Sequence, residues 1–424
     1  MWLYNLVVLA YGLVIRIASL SHQKAKFWIE GRRNWQNNLK SKASSINGSK
    51  VVWFHCASLG EFEQGRPLIE KLKNDHPEYK VVLSFFSPSG YEVSKNYPYA
   101  DVITYLPLDT RSNAKKFLDI INPEFIVFVK YEFWLNFLNE TGERKIPCFL
   151  VSAVFKDHHP FFKWYGGVFV NSLHAFTRIY VQDQTSAVRL KQININHAEV
   201  FGDTRNDRVM TIKNQDIKIP GIESFISESS LIVAGSTWPA DEELILKAYQ
   251  LLRKKLKVKL LIAPHEVDDK SVQKTSERIK ASGLTYTFFS KDNAENEQAD
   301  VLVLDTMGML SKVYKYANTA YVGGGMHSNG IHNILEPAVF HVSVSFGGKA
   351  DLSKYNEALA LIALGAALAV NSEWELADWW EKSLTDKAFI NQIDEKLSEY
   401  FFLHGNVSQR LMESIFNTVK AKIN

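Results

Sequence analysis

Cysteine is scarce in this chain of 424 residues, which contains only Cys56 and Cys148. Both lie in apolar, strand-like runs, where a cysteine is most often a small buried hydrophobic side chain. A disulfide framework and a cysteine-rich metal site are therefore not expected, which suits a reducing compartment. The net charge of +3 is too small to indicate a nucleic-acid partner. The sequence has no fixed-period repeat, and no spacing of His, Cys, Asp and Glu predicts a metal site.

Hydrophobic residues make up 46% of the chain and charged residues 22%, as in an ordinary globular protein long enough for two cores. Short β-rich runs alternate with helical patterns, and the runs are hydrophobic throughout, as in parallel strands covered on both faces. The runs are VVWFHCA, KVVLSFF, DVITYLP, EFIVFVK, CFLVSAV and RIYVQD, followed later by LIVAGS, VKLLIAP, TYTFF, DVLVLDT, TAYVGG and SVSFG. The pattern predicts an α/β protein with two Rossmann-like, doubly wound domains that face a cleft.

The predicted domain boundaries follow from these runs and from shifts in composition. A polar stretch with Pro220 and Gly221 reads as a linker between the two domains. The last segment has helical periodicity and could pack back on the first domain. The predicted segments are an N-terminal membrane anchor (1–21), a basic juxtamembrane segment (22–48), the first domain (49–204), the linker (205–228), the second domain (229–400) and a C-terminal helix (401–424).

The N-terminal residues 2–20 are apolar apart from Asn5 and Arg16. They are short for a spanning helix, which needs ~20 apolar residues. Positive charge follows the run instead of preceding it, so a cleaved signal is not indicated, and the positive-inside rule places the body of the protein in the cytoplasm. The alternative is an amphipathic helix that lies in the interface. Both alternatives put the protein at a membrane surface, where the basic segment attracts anionic headgroups.

A glycine-rich stretch, TAYVGGGMHSNGIHNILEPAVF (319–340), reads as a buried strand, a turn at 323–325 and a helix that begins between Asn333 and Pro337. Glycine after a strand, here Gly324, and a helix N-terminus together make a phosphate site. Glu336 repels phosphate but suits a pair of ribose hydroxyls, so a nucleotide fits. The alternative is a capping box from Asn333 to Glu336. With Glu336 as the cap, Pro337 takes the favoured first helical position.

Other loops of the second domain are expected to converge on this one. Ser236 follows the first strand of that domain, and Pro264 and His265 follow the second. Small and hydroxyl-bearing residues after a strand can bind phosphate oxygens. The backbone groups of 307–309 can form hydrogen bonds with the edge of a base. A single histidine in a loop, such as His265, is more often a satisfied loop residue than a ligand.

Two acids end strands of the first domain. Glu61 follows VVWFHCA in the first turn of the next helix, where a carboxylate could take a proton from a hydroxyl nucleophile. Acids are also common in first turns simply because they stabilise the helix. Glu132 ends the run EFIVFVK at the same edge of the sheet, although an acid that caps the next helix explains it equally well.

Six motifs in order resemble the bacterial 3-deoxy-D-manno-octulosonic acid (Kdo) transferases over about residues 30–400. They are SLGE, YEFW, AGSTWPADEE, the loop led by Pro264, DTMG, and GGG followed by HNILEP. The resemblance implies a GT-B type fold, with an acceptor-binding first domain and a nucleotide-binding second domain. It implies transfer of Kdo from CMP-Kdo to a lipid A precursor, with inversion and without a metal or other cofactor, at the cytoplasmic face of the inner membrane.

The same resemblance implies roles for particular residues. Glu61 would be the general base, Glu132 the second acid of the active site, and Glu336 the ribose ligand. Including Ser236 and Gly324 from the pattern above, the predicted donor contacts are Ser236, Pro264, His265, Met307, Gly308, Met309, Gly324, Asn333, Ile334, Leu335 and Glu336.

The sequence departs from the family pattern at three places. Pro264-His265-Glu266 stands where many members have Pro-Arg-His, so the guanidinium expected near the phosphate is missing, and His265 or another cation would have to replace it. Lys130 stands at one position of the acidic pair before the tryptophan. Arg205 stands where a lysine is usual, which keeps the charge.

Three other interpretations remain open. An NAD-dependent oxidoreductase also has Rossmann-like halves, but here Ser328 stands at the third glycine of the dinucleotide fingerprint, and the glycine loop comes late in its domain. The second is a glycosyltransferase of the same fold that uses another nucleotide sugar. The third is a membrane-tethered nucleotide-binding protein without catalysis.

Overall fold

The computed structural model describes residues 1–215, 218–219, 221–291, 298–327 and 330–423. The chain forms two compact units, one of residues 1–208 and 404–424 and the other of residues 209–403. Each unit is built around one parallel sheet of seven strands, so the predicted α/β class with two parallel sheets is confirmed.

The sheet of the first unit has the strand order β3-β2-β1-β4-β5-β6-β7, with every pair parallel. Strands β1 to β5 are buried along nearly their whole length, which explains their uninterrupted hydrophobic runs. The strands are β1 Lys50–Cys56, β2 Tyr79–Phe85, β3 Val102–Tyr105, β4 Phe125–Val129, β5 Cys148–Ala153, β6 Arg178–Val181 and β7 Ala198–Val200.

The helices of this unit cover both faces of its sheet, as parallel strands require. In chain order they are α1 Trp2–Ala18, α2 Gln23–Arg32, α3 Trp35–Ala43, α4 Leu59–Asp75, α5 Pro88–Ser94, α6 Arg111–Ile121, α7 Leu135–Glu143, α8 Gly167–Leu173, α9 Gln184–Gln192 and α10 Arg205–Lys213. The last of them runs from the first unit into the second.

The sheet of the second unit has the order β10-β11-β9-β8-β12-β13-β14, again parallel. Its strands are β8 Ser230–Thr237, β9 Val258–Pro264, β10 Tyr286–Phe288, β11 Val301–Val303, β12 Thr319–Val322, β13 Ser343–Gly347 and β14 Ala367–Val370. Its helices are α11 Ile222–Ile226, α12 Pro239–Leu252, α13 Asp269–Ala281, α14 Leu310–Val313, α15 Leu335–Ala338, α16 Asn356–Ala363, α17 Glu373–Thr385 and α18 Lys387–His404; the last helix, α19 Val407–Ile423, belongs to the first unit.

Strands β7 and β14 were not predicted. Both are short edge strands, of three and four residues, and both are partly exposed. An edge strand buries less apolar surface than a central one, so its hydrophobic signal is weak.

The polar stretch 205–228 contains two helices, α10 and α11, where the sequence predicted a linker; Pro220 lies outside the described residues.

Helix α19 packs on the first unit, where Val407, Leu411 and Ile415 join the core on one face of the sheet. Asp207 of α10 accepts hydrogen bonds from the N–H groups of Val407 and Ser408 and so fixes the start of α19.

The N-terminal helix α1 has 17 residues, and none of the helices in the described part of the chain is long and apolar enough to cross a bilayer. A spanning anchor therefore has no support from the helix length. The helix lies against the first unit: Tyr4 donates to Asp109 at 2.5 Å, and Asn136 donates to Asn5 at 2.9 Å. The polar groups of Tyr4 and Asn5 thus face protein while most of the large apolar side chains of α1 are exposed, the reverse of a helix packed in the usual way on a soluble domain.

Candidate functional site

Glu61 lies at the carboxyl end of β1, in the first turn of α4, as the sequence indicated. Ser58 is the N-cap of this helix, but its hydroxyl donates to the Glu61 carboxylate instead of accepting from a backbone N–H group. Glu61 is partly exposed. The carboxylate is therefore oriented by one short local contact and keeps a side open for a second partner.

Glu132 follows β4, the strand next to β1, so both acids stand at the same edge of one sheet. In contrast to Glu61 it is buried, with 4% of its surface exposed. Oε2 of Glu132 lies 3.0 Å from Nε2 of His55 and accepts from Nε1 of Trp134 at 2.6 Å. Helix α7 has Trp134 as its N-cap and no side-chain cap, so Glu132 does not cap that helix.

His55 belongs to this edge and was missed, because it stands inside an apolar strand and no spacing distinguishes it. It is completely buried, and its Nδ1 lies 2.8 Å from the hydroxyl of Ser84. Ser84 in turn accepts from Nε1 of Trp53 at 2.7 Å. A buried polar network thus runs through the sheet from Trp53 to Glu132.

Glu61 and Glu132 both affect the pKa of the neighbouring Cys56 thiol. Burial raises the pKa of the Cys56 thiol well above its ordinary value, and the carboxylates of Glu61 and Glu132 raise it further. A thiol so disfavoured from ionising is a packing group and not a nucleophile.

The glycine turn after β12 is shaped by packing against other backbone segments. A Cβ atom on Gly323 would collide with the carbonyl of Ser236, and one on Gly325 with the backbone of Gly347. Gly324 has a φ of +96° and donates its N–H to Oδ2 of Asp241 at 2.9 Å. This N–H group lies in the glycine turn that the sequence predicted as a phosphate site, and it has a protein acceptor in this structure.

Asp241 is the residue that ties the motif AGSTWPADEE to the glycine turn. It is fully buried in the first turn of α12 and accepts from the N–H of Trp238 at 3.0 Å and from the hydroxyl of Tyr321 at 2.8 Å. In the sequence it looks like an ordinary acid at a helix start. Only the contact with Gly324 shows that it positions the loop.

Three rings stack where the loops after β8 and β9 meet the glycine loop. The rings of Trp238 and His265 have centroids 4.6 Å apart, and those of His265 and His332 are 4.4 Å apart, with interplanar angles of 25° and 26°. Burial, assisted by the charge of His265, lowers the pKa of His332 to about 4, and burial also lowers the pKa of His265. The stack is therefore neutral at pH 7, and it joins the predicted donor residue His265 to His332, which was not predicted.

The helix expected near Asn333 is α15, a single turn of four residues with Ile334 as its N-cap. Pro337 is its third residue, so the interpretation with Glu336 as the cap was wrong. The capping box is not formed either, because the Asn333 side chain accepts from the N–H of Leu335 at 3.2 Å and donates to Glu336 at 3.3 Å. Asn333 and Glu336 are both partly exposed, with Ile334 and Leu335 buried beneath them.

The loop after β11 leaves its predicted contact residues open. Met307 is 83% exposed, and Gly308, also exposed, has a φ of +77°. Met309 is the N-cap of α14. Asp305 accepts from the N–H and the hydroxyl of Ser290, which fixes the start of the loop.

A pocket of about 150 Å³ lies beside Pro264 and His265 and is also lined by Lys274 and Arg278 of α13. Arg278 is bound to the buried Glu242 at 2.5 Å, and Lys274 is exposed. These are the cations that this chain places next to the loop that lacks the family arginine. In the described residues no group of three or more His, Cys, Asp or Glu side chains could hold a metal ion, and Ser328 lies outside those residues.

Comparison with known families matches residues 31–208 to the model described as 3-deoxy-D-manno-octulosonic-acid transferase (kdotransferase). A 3-deoxy-D-manno-octulosonic acid transferase of Aquifex aeolicus is 28% identical over 365 residues, which cover 84% of this chain and 92% of the relative. A bifunctional glycosyltransferase/methyltransferase of Fusobacterium nucleatum is 26% identical over 80% of this chain, and the match spans about half, 53%, of that longer relative.

Among solved structures, the UDP-GlcNAc 2-epimerase of Neisseria meningitidis bound to UDP-GlcNAc superimposes with a TM-score of 0.60 at 13% identity. The match covers 87% of this chain and all of the epimerase. At this identity the likeness establishes a shared fold, with two Rossmann-like halves.

Proposed function

We propose that this chain, whose residues 31–208 match the model of the 3-deoxy-D-manno-octulosonic acid (Kdo) transferases, transfers Kdo from CMP-Kdo to a lipid A precursor. The observation that carries the proposal in the structure is the position of Glu61. A partly exposed carboxylate stands at the carboxyl end of a central strand, where doubly wound sheets bind ligands.

In the proposed reaction Glu61 takes the proton from the acceptor hydroxyl while that oxygen bonds to the anomeric carbon of Kdo. The bond from this carbon to the phosphate oxygen breaks, and CMP leaves with the electron pair. Attack from the face opposite the leaving group inverts the anomeric centre. General base catalysis of this kind contributes about 10²–10⁴-fold to the rate.

Glu132 has a positioning role in this proposal. It is buried, and His55 and Trp134 both lie within hydrogen-bond distance of the same carboxylate oxygen. The network therefore holds the loop after β4 rigid beside Glu61. A rigid loop at this position would orient the acceptor hydroxyl toward the base.

We place the donor in the second unit. The His332 ring, at the end of the three-ring stack, offers a flat and uncharged surface, and Glu336 suits the ribose hydroxyls. Since the N–H of Gly324 is bound to Asp241, the phosphate contact falls to Ser236, to other loop N–H groups or to a cation such as Lys274. As implied by the family resemblance, no metal takes part.

The proposed location is the cytoplasmic face of the inner membrane, with α1 as the attachment. The support is the exposed apolar face of α1 and its polar seam with the first unit. This favours the interfacial alternative, because a helix of 17 residues is shorter than the ~20 apolar residues of a span.

The test is the mass of the product formed by purified protein from CMP-Kdo and a lipid A precursor, with Glu61→Gln as the matched inactive variant. Addition of one or more Kdo residues by the wild type, and loss of transfer with retained CMP binding in Glu61→Gln, is the expected result. Transfer from another nucleotide sugar only, or CMP binding without transfer in the wild type, would refute the proposal.

A further inference from the structure

A groove of about 600 Å³ lies between α1, α2 and the segment after β3 in the first unit. We propose that this groove binds one anionic phospholipid, with its acyl chain along the apolar wall and its phosphate at the arginine rim. The inference rests on the proposed membrane location but not on the chemistry of transfer. The residues that carry it are outside the sites described above.

Apolar side chains line the groove on two sides. Leu9 and Leu13 of α1 are 56% and 58% exposed, and Trp28, Trp35 and Leu108 line the other side. Exposure of these leucine side chains to water is unfavourable. An acyl chain that covers them removes apolar surface from water, which stabilises the complex by about 25 cal/mol per Å² covered. The wall continues into the exposed apolar face of α1, so a chain in the groove has a path to the bilayer.

The charges of the groove are mainly positive. Arg16, Arg32 and Arg33 line it together with one acid, Glu30, and Glu30 lies 4.0 Å from Lys26 of its own helix. Arg16 and Arg33 are exposed, and neither side chain has a carboxylate partner within the described residues. Two guanidinium groups at the mouth of an apolar groove match the phosphate of a lipid headgroup.

Arg32 gives an independent indication. Its guanidinium lies 3.8 Å above the ring of Trp28, and its acceptors among the described residues are the backbone carbonyls of Leu106, Trp28 and Phe86. These bonds use three of its five N–H groups. A largely buried cation without a carboxylate partner is costly, and an anion in the groove would supply the missing countercharge.

The position of α1 keeps the groove open. Tyr4 and Asn5 bind Asp109 and Asn136 in the first unit, and the ring of Tyr11 stacks on Phe86 at 6.0 Å. The helix is therefore fixed by its polar side at a set distance from the domain. Gly12 faces Leu108, and a Cβ atom at this position would lie 3.0 Å from the Leu108 side chain, so the glycine lets α1 approach the segment after β3 closely at the edge of the groove.

The experiment is native mass spectrometry of the full chain in detergent, titrated with dioleoyl phosphatidylglycerol or with dioleoyl phosphatidylcholine. We expect one phosphatidylglycerol per chain and at least tenfold weaker binding of phosphatidylcholine. The double variant Arg16→Gln/Arg33→Gln should bind phosphatidylglycerol roughly 10–30-fold more weakly, since each arginine near an anionic headgroup contributes on the order of 1 kcal/mol.

The matched control is Lys24→Gln/Lys40→Gln, which removes the same charge from exposed positions of α2 and α3 that do not line the groove. Leu13→Gln should weaken binding, whereas Leu20→Gln, 88% exposed beyond the end of α1, should not. An equal loss in both charge variants would show general surface attraction and overturn the proposal. Displacement of the lipid by millimolar inorganic phosphate, with no effect of Leu13→Gln, would overturn it in favour of a free-anion site.

Transfer of Kdo to a detergent-dispersed acceptor is measured on the same preparations. Transfer without lipid binding would remove the groove proposal alone, and lipid binding without transfer would remove the proposed enzymatic function alone.

Discussion

Nε2 of His55, on the strand that precedes the proposed base Glu61, lies 3.0 Å from Oε2 of Glu132 in the interior of the first unit. The residues are 77 positions apart, and each supplies the other with a buried hydrogen-bond partner. Removal of either one deprives the other of a hydrogen-bond partner in a buried network that also contains Trp134 and Ser84, and an incompletely satisfied buried polar group costs free energy.

The first prediction concerns this pair. His55→Gln and Glu132→Gln should each destabilise the first unit, and a double-mutant cycle from urea unfolding should give a coupling of about 1–3 kcal/mol. Tyr79→Phe and Glu124→Gln form the control pair, because that 2.7 Å bond is only part-buried and should couple more weakly. Additive effects of His55 and Glu132 would contradict the network.

Glu61→Gln should lower kcat for Kdo transfer by about 10²–10⁴-fold, since an amide cannot accept the hydroxyl proton. KM for CMP-Kdo should change little, as the donor is placed in the other unit. Glu63→Gln, two residues further along α4 and partly exposed, is the matched control and should keep its activity. Full transfer by Glu61→Gln would remove this residue from its role.

The role of Glu336 is tested with two ligands. CMP should bind the wild type at least tenfold more tightly than 2′-deoxy-CMP, because a hydrogen bond to a charged group is worth about 1.5–3 kcal/mol. In Glu336→Gln the preference should shrink severalfold, as measured by calorimetry. An undiminished preference in this variant would assign the ribose to another residue.

The neutral histidine stack makes the second unit sensitive to acid. The folded-state pKa of His332 is about 4 against an ordinary value of 6.5, so between these values the unfolded chain binds more protons than the folded one. The stability that His332 contributes is complete above pH 6.5 and falls as the pH drops toward 4, by up to about 3 kcal/mol.

Urea unfolding at pH 7.5 and pH 4.5, followed by tryptophan fluorescence, measures this loss. His332→Gln should remove a part of the pH dependence that the wild type shows. If both proteins lost the same free energy of unfolding on acidification, the burial of His332 would not be its source.

Metal removal provides a further test. Transfer activity should survive dialysis against EDTA, because the proposed step needs only the carboxylate base and the phosphate contacts of the protein. A loss of activity that Mg²⁺ or Mn²⁺ restores would contradict a metal-independent reaction.

The positions of the strands and the place of Glu61 could be predicted because they depend on local pattern. Buried parallel strands must be continuously apolar, and an acid directly after such a strand must stand at the edge of the sheet. The edge strands β7 and β14 were missed because half-exposed segments do not carry that signal. The start of α15 was misjudged because a single helical turn is set by its surroundings and not by capping preference.

By itself the sequence determined the two parallel sheets and which loops follow the carboxyl ends of their strands, since hydrophobic runs and glycine turns follow from short-range physics. Only the tertiary structure decided that Glu132 is buried against His55, that the N–H of Gly324 is bound to Asp241, and that three arginines surround one apolar groove. Those contacts join residues far apart in the chain, and the free energy of burying a polar group or leaving a cation without an acid depends on neighbours that a linear pattern does not name.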